Sequence, residues 1–185
     1  MLAFMSLPLV LPVCAIISLA ILLLDGRPIF FFQKRGGFRG LPFTAYKFRT
    51  MKSEPTREPL ARNQVIHNDP RISPLGGFLR RHRLDELPQV LNILRGEMGW
   101  IGPRPEPLEL SMIYEKKLPF YRYRHAVRPG LTGWAQVNQG HVTSVSDIDE
   151  KLKYDFYYIK NVSIWLDFLI ILKTFRIVLF GIGAK

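Results

Sequence analysis

From Met1 to Leu24 the chain carries no charged side chain, and Asp25 is the first. As a continuous helix rising ~1.5 Å per residue such a stretch reaches ~36 Å, enough for a hydrocarbon core of ~30 Å. We read it as a membrane segment. A secretory signal fits less well, because the stretch has no basic n-region and its apolar run exceeds a typical h-region. Pro8 and Pro12 lie within it. A proline inside a helix removes a hydrogen bond and clashes with the preceding turn, and Pro12 leaves two arms of roughly a dozen residues, each ~17 Å long. Two geometries are therefore open: a kinked spanning helix whose freed carbonyls are satisfied by neighbours, and a re-entrant hairpin that enters and leaves on one face. The flank after Leu24 carries Arg27, Lys34, Arg35, Arg39, Lys47, Arg49 and Lys52 against Asp25 and Glu54. By the positive-inside tendency, everything downstream is expected on the cytoplasmic side.

At 185 residues the chain suffices for one domain with a real core. Its formal net charge of +11 favours anionic partners such as phosphate groups, nucleic acid or acidic lipid headgroups. The basic residues are dispersed among Pro/Gly loops and carboxylates instead of forming one stripe, which weighs against nucleic acid. With Cys14 as the only cysteine, an intramolecular disulfide and a cysteine metal cluster are both excluded, and a reducing setting fits. His67, His82, His125 and His141 have no metal-type spacing.

Aromatic-rich runs at Ile29–Phe32 and Pro42–Phe48 flank Gly36, Gly37 and Gly40, predicting a short hairpin whose basic turn lies near lipid headgroups. The stretch Lys52–Pro74 shows no period and reads as mostly loop. Helical spacing recurs over Leu75–Arg83 and Glu86–Leu94, with Gly96 as a stop. The segment Gly102-Pro103-Arg104-Pro105 is expected to be a rigid, non-helical loop, because each proline fixes its own backbone and biases its predecessor toward extended geometry. Further helices are predicted over Ser111–Tyr123 and Asp147–Tyr158, with loop punctuation at Arg128-Pro129-Gly130 and Thr132-Gly133 between them. The apolar tail Ile164–Phe180 is interrupted by Asp167, Lys173 and Arg176. Intramembrane charge is expensive, so a helix lying in the interface is expected there instead of a second span. The whole reads as an α+β fold.

The most informative stretch is Leu84-Asp85-Glu86-Leu87-Pro88-Gln89. Asp85 stands where an N-cap belongs, Glu86 falls in the first turn, and Pro88 is tolerated there. An acidic helix start suited to the dipole is one explanation. The other is chemical: a helix N-terminus binds phosphate, and a carboxylate beside such a site can attack phosphorus. Two adjacent carboxylates tolerate a phosphate only if a divalent cation or arginines intervene. Arg80, Arg81 and Arg83 lie just upstream, Arg104 and Arg128 lie in loops able to fold over the same point, and Mg²⁺ is the natural metal for oxygen ligands and phosphate. Trp134, Gln136 and Asn138 suit either a pocket lining or ordinary structure.

Four segments in order, Ala45-Tyr46-Lys47-Phe48-Arg49-Thr50-Met51, Leu84 to Gln89, Gly102 to Pro105, and Arg128-Pro129-Gly130-Leu131-Thr132-Gly133-Trp134-Ala135-Gln136-Val137-Asn138, together resemble the bacterial sugar transferases, or monotopic phosphoglycosyl transferases. The resemblance runs from about Leu9 to about Thr174. It implies a small catalytic-domain-only form, with a re-entrant membrane anchor over residues 1–25 and a cytoplasmic, membrane-associated catalytic domain over 26–185. It also implies transfer of a sugar-1-phosphate from a UDP-sugar to polyprenyl (undecaprenyl) phosphate at the inner membrane, the first membrane step of glycoconjugate assembly. On that pattern Asp85 attacks the sugar-linked phosphate, forming a covalent ester and releasing UMP, and it also holds Mg²⁺. Glu86 helps to deprotonate the acceptor. Lys47, Arg81, Arg104, Arg128, Gln136 and Asn138 are the implied substrate-binding residues. The family's anchor breaks at a proline usually preceded by serine, whereas Leu11 precedes Pro12 here and Ser6 lies too far back. The chain also begins without the basic, amphipathic lead-in that commonly precedes the first arm. The sugar, the pathway and the oligomeric state stay open, since the apolar tail can pack on lipid or on another copy of the chain.

Overall fold

A computed structural model describes residues 2–52, 69–139 and 145–181. The fold is mixed: helices of very different lengths surround two small two-stranded sheets. Helix α1 (Leu2–Leu24) contains both prolines, and the helical assignment carries through them. Ala3–Leu24 is long and apolar enough to cross a membrane. Little of this segment is covered by protein. Phe4, Met5, Leu9, Ile16, Leu23 and Leu24 are all exposed, whereas Ile17 and Ile21, one turn apart, are buried against Phe48 and Leu79. Helical phase thus puts one stripe of the C-terminal half against the body of the protein.

Strands β1 (Phe30–Gly36) and β2 (Pro42–Phe48) form the expected hairpin, antiparallel, with Phe31 opposite Lys47 and Arg35 opposite Phe43. The first strand runs four residues beyond the aromatic run that announced it, because Gln33, Lys34, Arg35 and Gly36 continue the ladder. The connection uses a single 3₁₀ turn (Phe38–Gly40) with Arg39 and Gly40 at positive φ. Of the Lys52–Pro74 loop, residues 53–68 lie outside the described residues.

Helix α2 (Pro74–Arg81) starts at Ser73, whose Oγ accepts from the Gly76 amide at 2.9 Å. It stops two residues earlier than its apolar spacing suggested, because Arg83 turns into the left-handed region with φ 53°. The single helix expected over Glu86–Leu94 is replaced by two elements. Leu84–Gln89 is a 3₁₀ helix, and only Val90–Leu94 continues as α3. Pro88 has no N–H to give to a ladder and sits in the tighter turn. Asn92, fully buried, ties this segment to β2. Its Oδ1 accepts from the Tyr46 amide at 3.2 Å, and its Nδ2 donates to the Thr44 carbonyl at 2.7 Å.

A second sheet pairs strand β3 (Gly99–Ile101) in parallel with β4 (Gly130–Thr132), and the latter falls within the stretch expected to be loop. The helix expected over Ser111–Tyr123 is instead α4 (Leu108–Lys117), followed by a 3₁₀ segment, Tyr121–Ala126. Pro119 forces the break by holding Leu118 extended. A helical turn, α5 (Trp134–Asn138), leads to α6 (Val145–Lys160) and α7 (Ile164–Phe180). The last helix keeps its predicted bounds, capped by Ser163 and by Gly181 in the left-handed region. Leu166 and Ile170 are buried beside Tyr158, while Trp165, Phe168, Leu172, Phe175 and Leu179 are exposed. Two of its three charges contact the body of the protein: Asp167 accepts from the Tyr158 hydroxyl at 3.1 Å, and Lys173 lies 4.7 Å over the Trp134 ring, while Arg176 is exposed.

Candidate active site

Asp85 and Glu86 both fall in the 3₁₀ segment and are 8% and 5% exposed, so two adjacent carboxylates are buried together. Asp85 is not an N-cap, since Arg83 occupies that position. Positive charge therefore reaches the pair from side chains, not from a helix terminus. The two carboxylates are treated very differently. Glu86 Oε1 accepts from Lys47 Nζ at 2.6 Å and from Arg104 Nη2, Oε2 accepts from Arg104 Nη1 at 3.2 Å, and Arg83 Nη1 stands 3.9 Å from Oε2. Asp85 receives no side-chain hydrogen bond among the described residues. Burial pushes its carboxyl above the usual range, and Lys47 only partly offsets this. Burial alone would raise Glu86 as well, but Arg104 and Lys47 outweigh it and hold that carboxyl well below the ordinary carboxylate range. Burial brings Lys47 down to about 8 in spite of Glu86.

Arg104 owes its position to the loop that carries it. The Pro103 carbonyl accepts from the Gly130 amide at 3.0 Å, the Arg104 carbonyl from Arg124 Nη2 at 2.8 Å, the Pro105 carbonyl from Arg35 Nη1 at 2.5 Å, and the Glu106 carbonyl from the Gly36 amide at 3.1 Å. Four consecutive carbonyls are thus held by donors from β1, β4 and the 3₁₀ segment Tyr121–Ala126. The donors are fixed in turn. Arg124 pairs with Asp155 at 2.7 Å in full burial, Arg35 Nη2 donates to Gln33 Oε1 at 2.7 Å, and Lys151 pairs with Glu106. The rigid loop expected from its prolines is present, and buried cations complete it.

Three expected site residues meet at one point: Lys47, Glu86 and Arg104, with Asp85 beside them. Arg80 and Arg83 supply further positive charge to the pair. Arg81 is exposed, its aliphatic stem lying against Gly181 beyond α7. Arg128 is exposed and makes no side-chain hydrogen bond or ion pair among the described residues. Gln136 is buried, with Nε2 on the Leu131 carbonyl at 3.2 Å and Oε1 without a partner, whereas Asn138 Oδ1 accepts from Lys173 at 2.5 Å. Neither glutamine nor asparagine contacts the carboxylate pair. Arg35 and Arg124, which set the loop, carry no local sequence signal. Their partners lie 70 and 31 residues away.

Asp85, buried and without a side-chain hydrogen bond among the described residues, thus lies beside a cluster of cations, and comparison with known proteins gives the class. A family model described as bacterial sugar transferase matches residues 1–181, and the chain belongs to that family. It is 42% identical over 99% of its length to an Aeromonas hydrophila protein named UDP-N-acetylgalactosamine-undecaprenyl-phosphate N-acetylgalactosaminephosphotransferase, and spans 43% of that protein. It is 39% identical over 94% of its length to the UDP-glucose:undecaprenyl-phosphate glucose-1-phosphate transferase of Escherichia coli (strain K12), spanning 37% of that protein. An uncharacterised sugar transferase of Bacillus subtilis (strain 168), EpsL, is 39% identical over 86% of the chain, which spans 74% of it.

Proposed function

We propose that this chain transfers a sugar-1-phosphate from a UDP-sugar to polyprenyl (undecaprenyl) phosphate through a covalent intermediate on Asp85. The observation that carries this reading is the asymmetry of the carboxylate pair: Glu86 is gripped by Lys47 and Arg104, and Asp85 is buried without a side-chain hydrogen bond among the described residues. A nucleophile needs a free lone pair beside a site for its electrophile. An Asp85 oxygen attacks the phosphorus bonded to the sugar, the bond from that phosphorus to the UMP oxygen breaks, and UMP leaves with the electron pair. An oxygen of the polyprenyl phosphate then attacks the same phosphorus and displaces Asp85, giving the polyprenyl diphosphate sugar. Lys47 and Arg104 stabilise the charge on the transferring phosphoryl oxygens.

The donor set also fits Mg²⁺ in one respect. Asp85 offers one uncommitted carboxylate, and magnesium is commonly bound by one or two carboxylates plus substrate phosphates and water. When bound, it would neutralise phosphate charge. Residues 1–25 form the anchor on this reading, re-entrant at Pro12, with residues 26–185 at the cytoplasmic face of the inner membrane and the exposed aromatic side of α7 in the interface. Labelling of Leu2→Cys in a Cys14→Ser background from the cytoplasmic side supports re-entry, and labelling only from outside refutes it.

The test of activity is UMP release by nanodisc-held protein with polyprenyl phosphate, Mg²⁺ and a panel of UDP-sugars. Release with one sugar that is lost in Asp85→Asn is expected. Release undiminished in a folded Asp85→Asn protein overturns the proposal.

A further inference from the structure

The cations that a donor's diphosphate would need are already taken. Lys47 Nζ is 2.6 Å from Glu86 Oε1, Arg104 forks across both Glu86 oxygens, and Arg83 approaches Oε2 at 3.9 Å. All of this happens around a carboxylate that is 5% exposed. The positive charge of Arg80 also acts on Asp85, while its Nη1 donates to the Met51 sulfur at 3.6 Å. A guanidinium fork meets a carboxylate and a phosphate with the same two parallel bonds, so one can replace the other without moving the arginine.

Resting on the reading that the donor is a nucleoside diphosphate sugar, we propose that Glu86 is an internal stand-in for the donor's diphosphate. Before the donor binds, its carboxylate occupies the anion position made by Lys47, Arg104 and Arg83, keeping these half-buried cations paired and in register. The entering diphosphate takes over those contacts and displaces Glu86. Sharing is disfavoured because a diphosphate added beside two buried carboxylates puts like charges together at low dielectric.

The probe is UDP, titrated into the full chain in nanodiscs by calorimetry at one fixed Mg²⁺ concentration, with wild type compared with Glu86→Gln. Removing the competing charge while keeping its shape is expected to tighten UDP binding on the order of tenfold, the worth of one charge-assisted hydrogen bond. Equal or weaker binding by a folded Glu86→Gln protein overturns the inference while leaving the nucleotide-donor reading intact. Absence of UDP binding by both proteins overturns that reading and the inference with it. Should Glu86→Gln melt below the assay temperature, the wild-type complex with UDP decides. Glu86 parted from Arg104 and Lys47 is the expected result, and an intact Glu86–Arg104 pair overturns the inference.

Discussion

The ammonium of Lys47 lies 2.6 Å from Glu86 Oε1 across 39 residues of sequence, joining the hairpin to the 3₁₀ segment that also carries Asp85. That contact, together with the Arg104 fork, places the two carboxylates on different footings. Glu86 is one corner of an ion cluster with Lys47 and Arg104, and Asp85 has no side-chain hydrogen bond among the described residues. The same contact is held from behind by Asn92, which bonds β2 at Thr44 and Tyr46. The register between the cation and the carboxylates is therefore set by buried polar bonds as well as by packing.

Arg104→Lys keeps the charge and loses the fork. A lysine offers a point charge where Arg104 spans both Glu86 oxygens. Losing one charge-assisted bond at about 1.5–3 kcal/mol corresponds to a fall in kcat/KM of roughly 10–100-fold. Steady-state kinetics on protein of unchanged circular dichroism check this, and full activity would show that the fork is dispensable.

Gly133→Ala tests the close approach that carries the loop. A Cβ there would lie 2.1 Å from the Gly102 carbonyl oxygen, a backbone atom that cannot step aside. Overpacking of this kind costs about 1–3 kcal/mol, and the strain falls on the residue next to Pro103-Arg104. We expect a lower melting temperature together with reduced turnover. A melting temperature equal to wild type would mean that the two segments part more easily than their packing implies.

Glu106 gives the fold a definite acid limit. Burial would raise its carboxyl, but Lys151 and Arg124 bring it down to about 2 from an ordinary value of 4.5. The depressed folded value means that its contribution is complete above about pH 4.5. It is lost as pH falls toward 2, because the unfolded chain takes up the proton first. The contribution is on the order of 3 kcal/mol. Denaturant midpoints measured between pH 5 and 2.5 should fall steeply in wild type and less steeply in Glu106→Gln, which starts from a lower stability. Parallel slopes would contradict this.

Features written locally were legible in the sequence. The uncharged N-terminal stretch, the hairpin, the proline-framed Arg104 and the adjacent Asp85 and Glu86 all appear where their own neighbours dictate. The bounds of α7 were legible as well, because Ser163 and Gly181 cap it. Features made by distant partners were not. Arg35 holds the Pro105 carbonyl and Arg124 holds that of Arg104, yet each reads in sequence as one more solvated charge. The choice between Arg81 and Arg83 shows the same limit. The resemblance pointed to Arg81, which is exposed, and the left-handed turn at Arg83 brings that residue within 3.9 Å of Glu86. The parallel pairing of β3 with β4 depends on close backbone contact between glycine-rich segments, and no period in either three-residue run reveals it.

The measurement that bears most directly on Asp85 is single-turnover UMP release in the absence of acceptor. Covalent catalysis predicts a burst stoichiometric with enzyme, carried by a phosphosugar on the Asp85 peptide and abolished in Asp85→Asn. UMP release that requires polyprenyl phosphate from the first turnover, with no adduct on that peptide, would contradict it.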